Sequence, residues 1–373
     1  MRIISQKTIF DGSESALSSQ TFPWVCEAPS GRIFVMFRGG PYKGPTNTAE
    51  NGWYLWSDDG GKTFTLPRAP YGEVTLGDGT KGWLRSFQLL PLGGKRIFLV
   101  GTLVAFEDRS LPYYNEETEG LKDSRLVASF SDDDGVSFGP LSEIPMTAQF
   151  KGLSTVLTGP PLLLSDGRVM VNFEVYKQYD DTRPIDHKAG CIFSADGGKT
   201  FGQEVTIYNS PDLYAWDHRA AEGALGHLLD FVWTFDRHTN NYRNLGRIES
   251  TDGGQTWGEL AETPLSGQAG NAVMLPDGRL ALVYMDRTGA PTVRLAVSYD
   301  LGKTFPEILD LYVHGSRKAE HTKSQYNEAW TEMGKYTAGH SFLTLLGSGQ
   351  LLIVNYAGPE KDRTDLMLTW VEA

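Results

Sequence analysis

One octapeptide occurs five times along this chain: SDDGGKTF at Ser57–Phe64, SDDDGVSF at Ser131–Phe138, SADGGKTF at Ser194–Phe201, STDGGQTW at Ser250–Trp257 and SYDLGKTF at Ser298–Phe305. A motif repeated on this scale means an array of like units rather than one asymmetric core. All copies fit S-x-D-x-G-x-[TS]-[FW], the chemistry of a tight turn. The Asp carboxylate accepts backbone N–H groups, Gly tolerates positive φ, and the terminal aromatic anchors the turn in a core. These aspartates are therefore expected to be structural.

A second repeat runs between the boxes: an apolar strand, a short turn containing Gly, and another apolar strand. It appears as WVCEAPSGRIFVMF, SFQLLPLGGKRIFLV, PPLLLSDGRVMVNF, AAEGALGHLLDFVW, NAVMLPDGRLALVY and SFLTLLGSGQLLIVNY, turning near Gly31, Gly94, Gly167, Gly226, Gly278 and Gly349. Strands so uniformly apolar belong between neighbouring sheets, and the boxes then join a third strand to a fourth. After the sixth hairpin only the run Thr364 to Val371 remains, so the last sheet lacks an outer strand that Arg2 to Phe10 can supply. The expectation is an all-β, six-bladed β-propeller with Asp-box turns, its ring closed by the N-terminal strand, forming one domain over residues 1–373.

Composition agrees with a turn-rich, strand-rich chain: 42 Gly, 16 Tyr, 18 Phe and 9 Trp in 373 residues. Net charge is −12, which disfavours nucleic acid as a partner, and no stretch reaches the roughly 18 apolar residues of a membrane span. Cys26 and Cys191 have neither CxxC nor Cys/His spacing, so no disulfide framework, zinc site or cofactor is expected. The N-terminal residues lack an apolar signal core; a cytoplasmic location is the default expectation, with secretion the alternative if a leader has been removed.

Repeated Asp boxes on a six-bladed pattern resemble the sialidase (neuraminidase) superfamily, also called BNR-repeat proteins. The resemblance spans nearly the whole chain and implies a carbohydrate substrate, an arginine triad for its carboxylate, a Tyr nucleophile assisted by Glu, and an Asp acid. Arg287 in YMDR matches one triad arginine. The first inner strand instead reads Thr21-Phe22-Pro23-Trp24-Val25, the loop after Phe37 has no Asp, and Ala338-Gly339-His340-Ser341 stands where the nucleophilic Tyr would be.

In a propeller the starts of first strands and the ends of second strands surround the axial funnel. Strand ends carry Arg38, Glu174, Asp236, Asp286, Arg287 and Tyr356; strand starts carry Arg85, Asp217, His218, Arg219, Gln268 and His340. Asp217 and His340 each lie nine residues before their turn glycine and share a register, whereas His218 has the opposite parity. Asp217 and Glu174 are the expected acid and base or nucleophile, with His340 as a third catalytic candidate. Arg38, Arg85, His218, Arg219, Asp236, Gln268, Asp286, Arg287 and Tyr356 are the expected substrate-binding residues. The expected activity is an exo-acting glycoside hydrolase for a terminal acidic or deoxy sugar. Two alternatives stay open: a glycan-binding propeller without catalysis, and a polysaccharide lyase acting on uronates through His340, Arg219 and Tyr356.

Overall fold

The computed structural model describes residues 1–13, 15–44, 50–105, 110–147, 149–315 and 332–373. Part of the loop after Phe37, residues 45–49, lies outside the described residues. The chain is all-β, with antiparallel sheets in a propeller-like arrangement.

A seven-stranded sheet contains Ala338–Leu345, Gln350–Glu360, Arg363–Glu372, Ser19–Glu27, Ile33–Gly40 and Asn51–Ser57 in that order, with Arg2–Phe10 paired to Arg363–Glu372. Its two halves meet through one parallel pair, Ser19 with Thr364. There the Thr364 hydroxyl donates to Gln20 O (2.7 Å) and accepts from Gln20 N–H (3.0 Å). Four further sheets are built around the hairpins Lys81–Gly93/Arg96–Ala105, Ser154–Leu157/Val169–Tyr176, Leu213–Ala224/His227–Asp236 and Gln268–Met274/Leu280–Asp286. Every apolar hairpin read from the sequence thus forms, although Thr158–Pro161 interrupts the first strand of the third. The second strands carry the core: all eight residues of Val169–Tyr176 and all seven of Leu280–Asp286 are buried.

The five boxes adopt one geometry. In the third, Ser194 Oγ donates to Asp196 Oδ1 and accepts from Gly198 N–H (both 2.8 Å), while Thr200 N–H donates to Asp196 (2.9 Å). The box glycine is required by close approach as well as by its positive φ. A Cβ at Gly61, Gly135, Gly198, Gly254 or Gly302 would lie 2.4–2.7 Å from Trp370, Phe34, Phe98, Phe193 or Phe231 respectively. Boxes two to five therefore each dock on an aromatic of the preceding sheet, and the first box docks on Trp370 in the Arg363–Glu372 strand of its own seven-stranded sheet. The interlock is what packs the sheets side by side.

Candidate functional site

Five of the six first strands share a local irregularity. Their pairing slips between Thr21 and Trp24, Leu84 and Ser86, Trp216 and Arg219, Ala269 and Ala272, and Gly339 and Phe342. A bulge re-aims the side chain at its first residue. Here those residues are Phe22, Arg85, Asp217, Gly270 and His340, of which Phe22, Arg85, Asp217 and His340 line one pocket. Phe22 (φ 48°), Asp217 (φ 58°) and His340 (φ 39°) hold the left-handed region despite carrying side chains. That conformation costs a non-glycine residue on the order of 1 kcal/mol and concentrates at functional sites. At Gly270 a side chain is impossible, since a Cβ would sit 2.3 Å from Val283 O and 2.6 Å from Ser341 O.

Glu174 buttresses the Asp217 bulge. Its Oε1 accepts the backbone N–H groups of Asp217 (2.6 Å) and His218 (3.4 Å). Its Oε2 accepts the Tyr176 hydroxyl (2.5 Å) and lies 3.2 Å from His187 Nε2. Burial raises the Glu174 pKa, but the hydrogen bond and charge of His187, with His218 and Tyr176, more than offset it and leave it below the ordinary carboxyl value. Asp217 goes the other way: burial, with the nearby Glu174 charge, raises its carboxyl against the pull of Arg219. Its side chain is 18% exposed, compared with 2% for Glu174, so Asp217 is the carboxylate open to the pocket.

Three guanidinium groups face this pocket in different states. Arg85 pairs with Glu50 (2.7 Å) and stacks on Tyr113. Arg219 pairs with Asp217 (3.2 Å) and donates to His340 Nδ1 (3.2 Å). An Nδ1 that accepts belongs to a neutral imidazole, and burial together with Arg219, Lys43, Arg38 and Arg287 drives the His340 pKa well below its usual value. Arg38 is different. It is 7% exposed, its guanidinium lies 4.1 Å from the centre of the Phe22 ring, its Nε is buried without a hydrogen-bond partner, and no carboxylate lies within ion-pair distance among the described residues. Burial, reinforced by Arg85, lowers its pKa to about 10.

Other expected site residues turn away. His218 is fully buried and paired with Asp230 beneath the pocket, as its opposite parity requires. Asp236 caps its own turn through His238 and Thr239 N–H (2.9 Å each), and Asp286 caps Thr288 (2.7 Å) and pairs with Arg294. Arg287 donates to Gln268 Oε1 (2.5 Å) and to Ala338 O (2.7 Å), and stacks 3.5 Å from the Tyr336 ring centre. Tyr356 is buried and accepts from Lys43 Nζ (2.7 Å). Gln268, Arg287 and Tyr356 thus stand behind the pocket wall, while Lys43, Glu50, Tyr113, Thr158 and Tyr176 line it. Lys43, Glu50 and Tyr113 come from loops, which carry no period to reveal them.

A family model described as a BNR repeat-like domain matches residues 101–330. The chain belongs to the BNR repeat-like family. No curated protein matches this BNR repeat-like chain in sequence. Solved structures share its fold. A protein of unknown function from Dyadobacter fermentans is 18% identical, with TM-score 0.75, over 100% of this chain and 98% of that one. The Hadza microbial sialidase Hz136 is 16% identical, with TM-score 0.71, over 98% and 68%. The intramolecular trans-sialidase from Ruminococcus gnavus is 15% identical, with TM-score 0.64, over 100% and 97%. At these identities the likeness is one of fold.

Proposed function

We propose that this chain is a sialidase-like, exo-acting glycoside hydrolase that takes a terminal carboxylated sugar. The observation that carries this reading is the presence of Arg38 and Asp217 on one pocket. A buried guanidinium whose Nε has no hydrogen-bond partner among the described residues complements a carboxylate, and a carboxyl with raised pKa on the same pocket suits a general acid. The reading carries with it six blades in one unit over residues 1–373, which the single parallel pair Ser19–Thr364 supports as a seam between a first and a last blade in the seven-stranded sheet.

In this reading Arg38 binds the sugar carboxylate, with Arg85 and Arg219 beside it, and His340 holds Arg219 in place. Asp217 gives its proton to the glycosidic oxygen as the C–O bond breaks. The oxygen of Tyr176 forms a bond to the anomeric carbon while its proton passes to Glu174, to which it is already hydrogen-bonded. Water, deprotonated by Asp217, then displaces the Tyr176 oxygen, whose proton returns from Glu174. Asp217 and Glu174 are thus the acid–base pair of this reading, with Glu174 acting through Tyr176.

A second reading has one specific support. Neutral His340 near Arg38 suits proton abstraction beside a neutralised carboxylate, the chemistry of a uronate lyase. Incubation with aryl glycosides of sialic acid and glucuronic acid, alongside uronate polymers, separates the readings. Aryl alcohol release that is lost in Arg38→Met supports hydrolysis; a near-ultraviolet product from a polymer supports the lyase; saturable binding without turnover leaves a glycan-binding module.

A further inference from the structure

Residues 332–338 cross between sheets beside the pocket, and each contact is made with a different part of the ring. The described portion opens with a helical turn at 332–335. Glu332, 8% exposed, accepts the Tyr242 hydroxyl (2.8 Å) from the sheet built on Leu213–Ala224. Met333 packs on the aromatic cluster that includes Trp83, Tyr113, Tyr176 and Trp216, drawn from three sheets. Lys43, which follows the Ile33–Gly40 strand, donates to Tyr336 O (2.7 Å). Arg287 holds Ala338 O and stacks on the Tyr336 ring. Gly339 permits that clamp, since a Cβ there would lie 2.6 Å from Arg287 Nη2.

We infer that this strap is a specificity determinant: pinned from three sides, it presents Met333 and Gly334 as a pocket wall that admits a sugar ring only when the ring's far hydroxyls are unsubstituted. The inference rests on the proposed carboxylated-sugar reading and adds to it which residues enforce a chain end. Arg38 and Asp217 select the carboxylate and the linkage, while the strap rejects a residue that continues on its far side. Its rigidity matters as much as its position. The wall discriminates only if it cannot retreat, and Tyr242, Lys43 and Arg287 each remove one way of retreating.

The test is equilibrium binding to the full chain, followed by the fluorescence of pocket tryptophans Trp24 and Trp216 and checked by calorimetry. The probes are N-acetylneuraminic acid, glucuronic acid and their counterparts capped on the 4-hydroxyl, 4-O-acetyl and 4-O-methyl respectively. Wild type is expected to bind at least one uncapped sugar and to bind its capped form at least roughly tenfold more weakly. Met333→Ala, and separately Tyr242→Phe with Glu332→Ala, should shrink that ratio to within roughly threefold while the uncapped sugar still binds. Should the variants discriminate as wild type does, or wild type bind both forms alike, the strap inference is overturned and the carboxylated-sugar reading stands. Binding of neither sugar by wild type overturns that reading instead. Thermal unfolding of each variant separates a moved wall from a lost fold, and Met333→Leu, which keeps volume, should restore the discrimination.

Discussion

The Glu174 carboxylate receives the backbone N–H of Asp217 at 2.6 Å, so one acid of the pocket fixes the main chain of the other. Removing it leaves buried N–H groups and the Tyr176 hydroxyl without their acceptor. Glu174→Ala is expected to destabilise the fold by about 3 kcal/mol, measured by urea unfolding. Glu174→Gln keeps an amide oxygen for the bulge but loses the proton acceptor for Tyr176. It should lose less stability than Glu174→Ala while still cutting kcat at least roughly a hundredfold.

Asp217 has a raised pKa, so the folded state holds its proton to higher pH than the unfolded chain does. Its stabilising contribution is complete below the unfolded carboxyl pKa and is lost as pH rises through the raised folded value. Activity that needs the protonated acid should fall over the same upper range. Asp217→Asn should remove that limb of the kcat/KM profile, lower turnover by at least roughly a hundredfold, and flatten the corresponding part of the stability–pH curve.

The left-handed backbone at Asp217 separates strain from chemistry. Asp217→Gly and Asp217→Ala both delete the carboxyl, yet only glycine accepts φ 58° without cost. The glycine variant should be more stable than the alanine variant by about 1 kcal/mol in chemical denaturation. Equal stabilities would show that the bulge relaxes when the side chain is removed.

Arg38 is a buried cation whose Nε has no hydrogen-bond partner and which forms no ion pair among the described residues. Arg38→Met should therefore raise stability, by about 1–2 kcal/mol in urea unfolding, while weakening a carboxylated ligand by at least roughly a hundredfold. A loss of stability would mean that stacking on Phe22 outweighs the burial of the charge.

The Asp boxes predict acid sensitivity unconnected with the pocket. Hydrogen bonds from Thr256 and Thr304 lower the Asp252 and Asp300 carboxyls to about 2. Their contribution is present above the ordinary carboxylate value near 4 and is lost as pH falls toward about 2. Thermal melting should decline over that window. Asp252→Asn should weaken this decline and leave ligand affinity at pH 7 unchanged.

Much of this site was legible in the chain because the repeat carries a register. In five of the six hairpins the position nine residues before the turn glycine, held by Phe22, Arg85, Thr158, Asp217 and His340, lines the pocket. The same register excludes His218, one step on and facing the opposite side. Asp236 and Asp286 misled because a carboxylate at a strand end can cap a turn two or three residues ahead, and the spacings to Thr239 and Thr288 are those of such caps. Arg287 and Tyr356 sit at the expected level, but Lys43 and the strap backbone occupy their polar atoms. Lys43, Glu50, Tyr113 and Met333 reach the pocket through long-range packing of aperiodic segments, and no local pattern encodes that.

Pairing of Arg2–Phe10 with Arg363–Glu372 leaves the beginning and end of the chain on adjacent strands, with Arg2 and Glu372 side chains 2.7 Å apart. Where a polymer starts is then almost arbitrary with respect to the finished object. A short peptide spliced across that junction, with a fresh break at an exposed turn such as Gly278, would yield a circular permutant with the same strand neighbours and the same pocket.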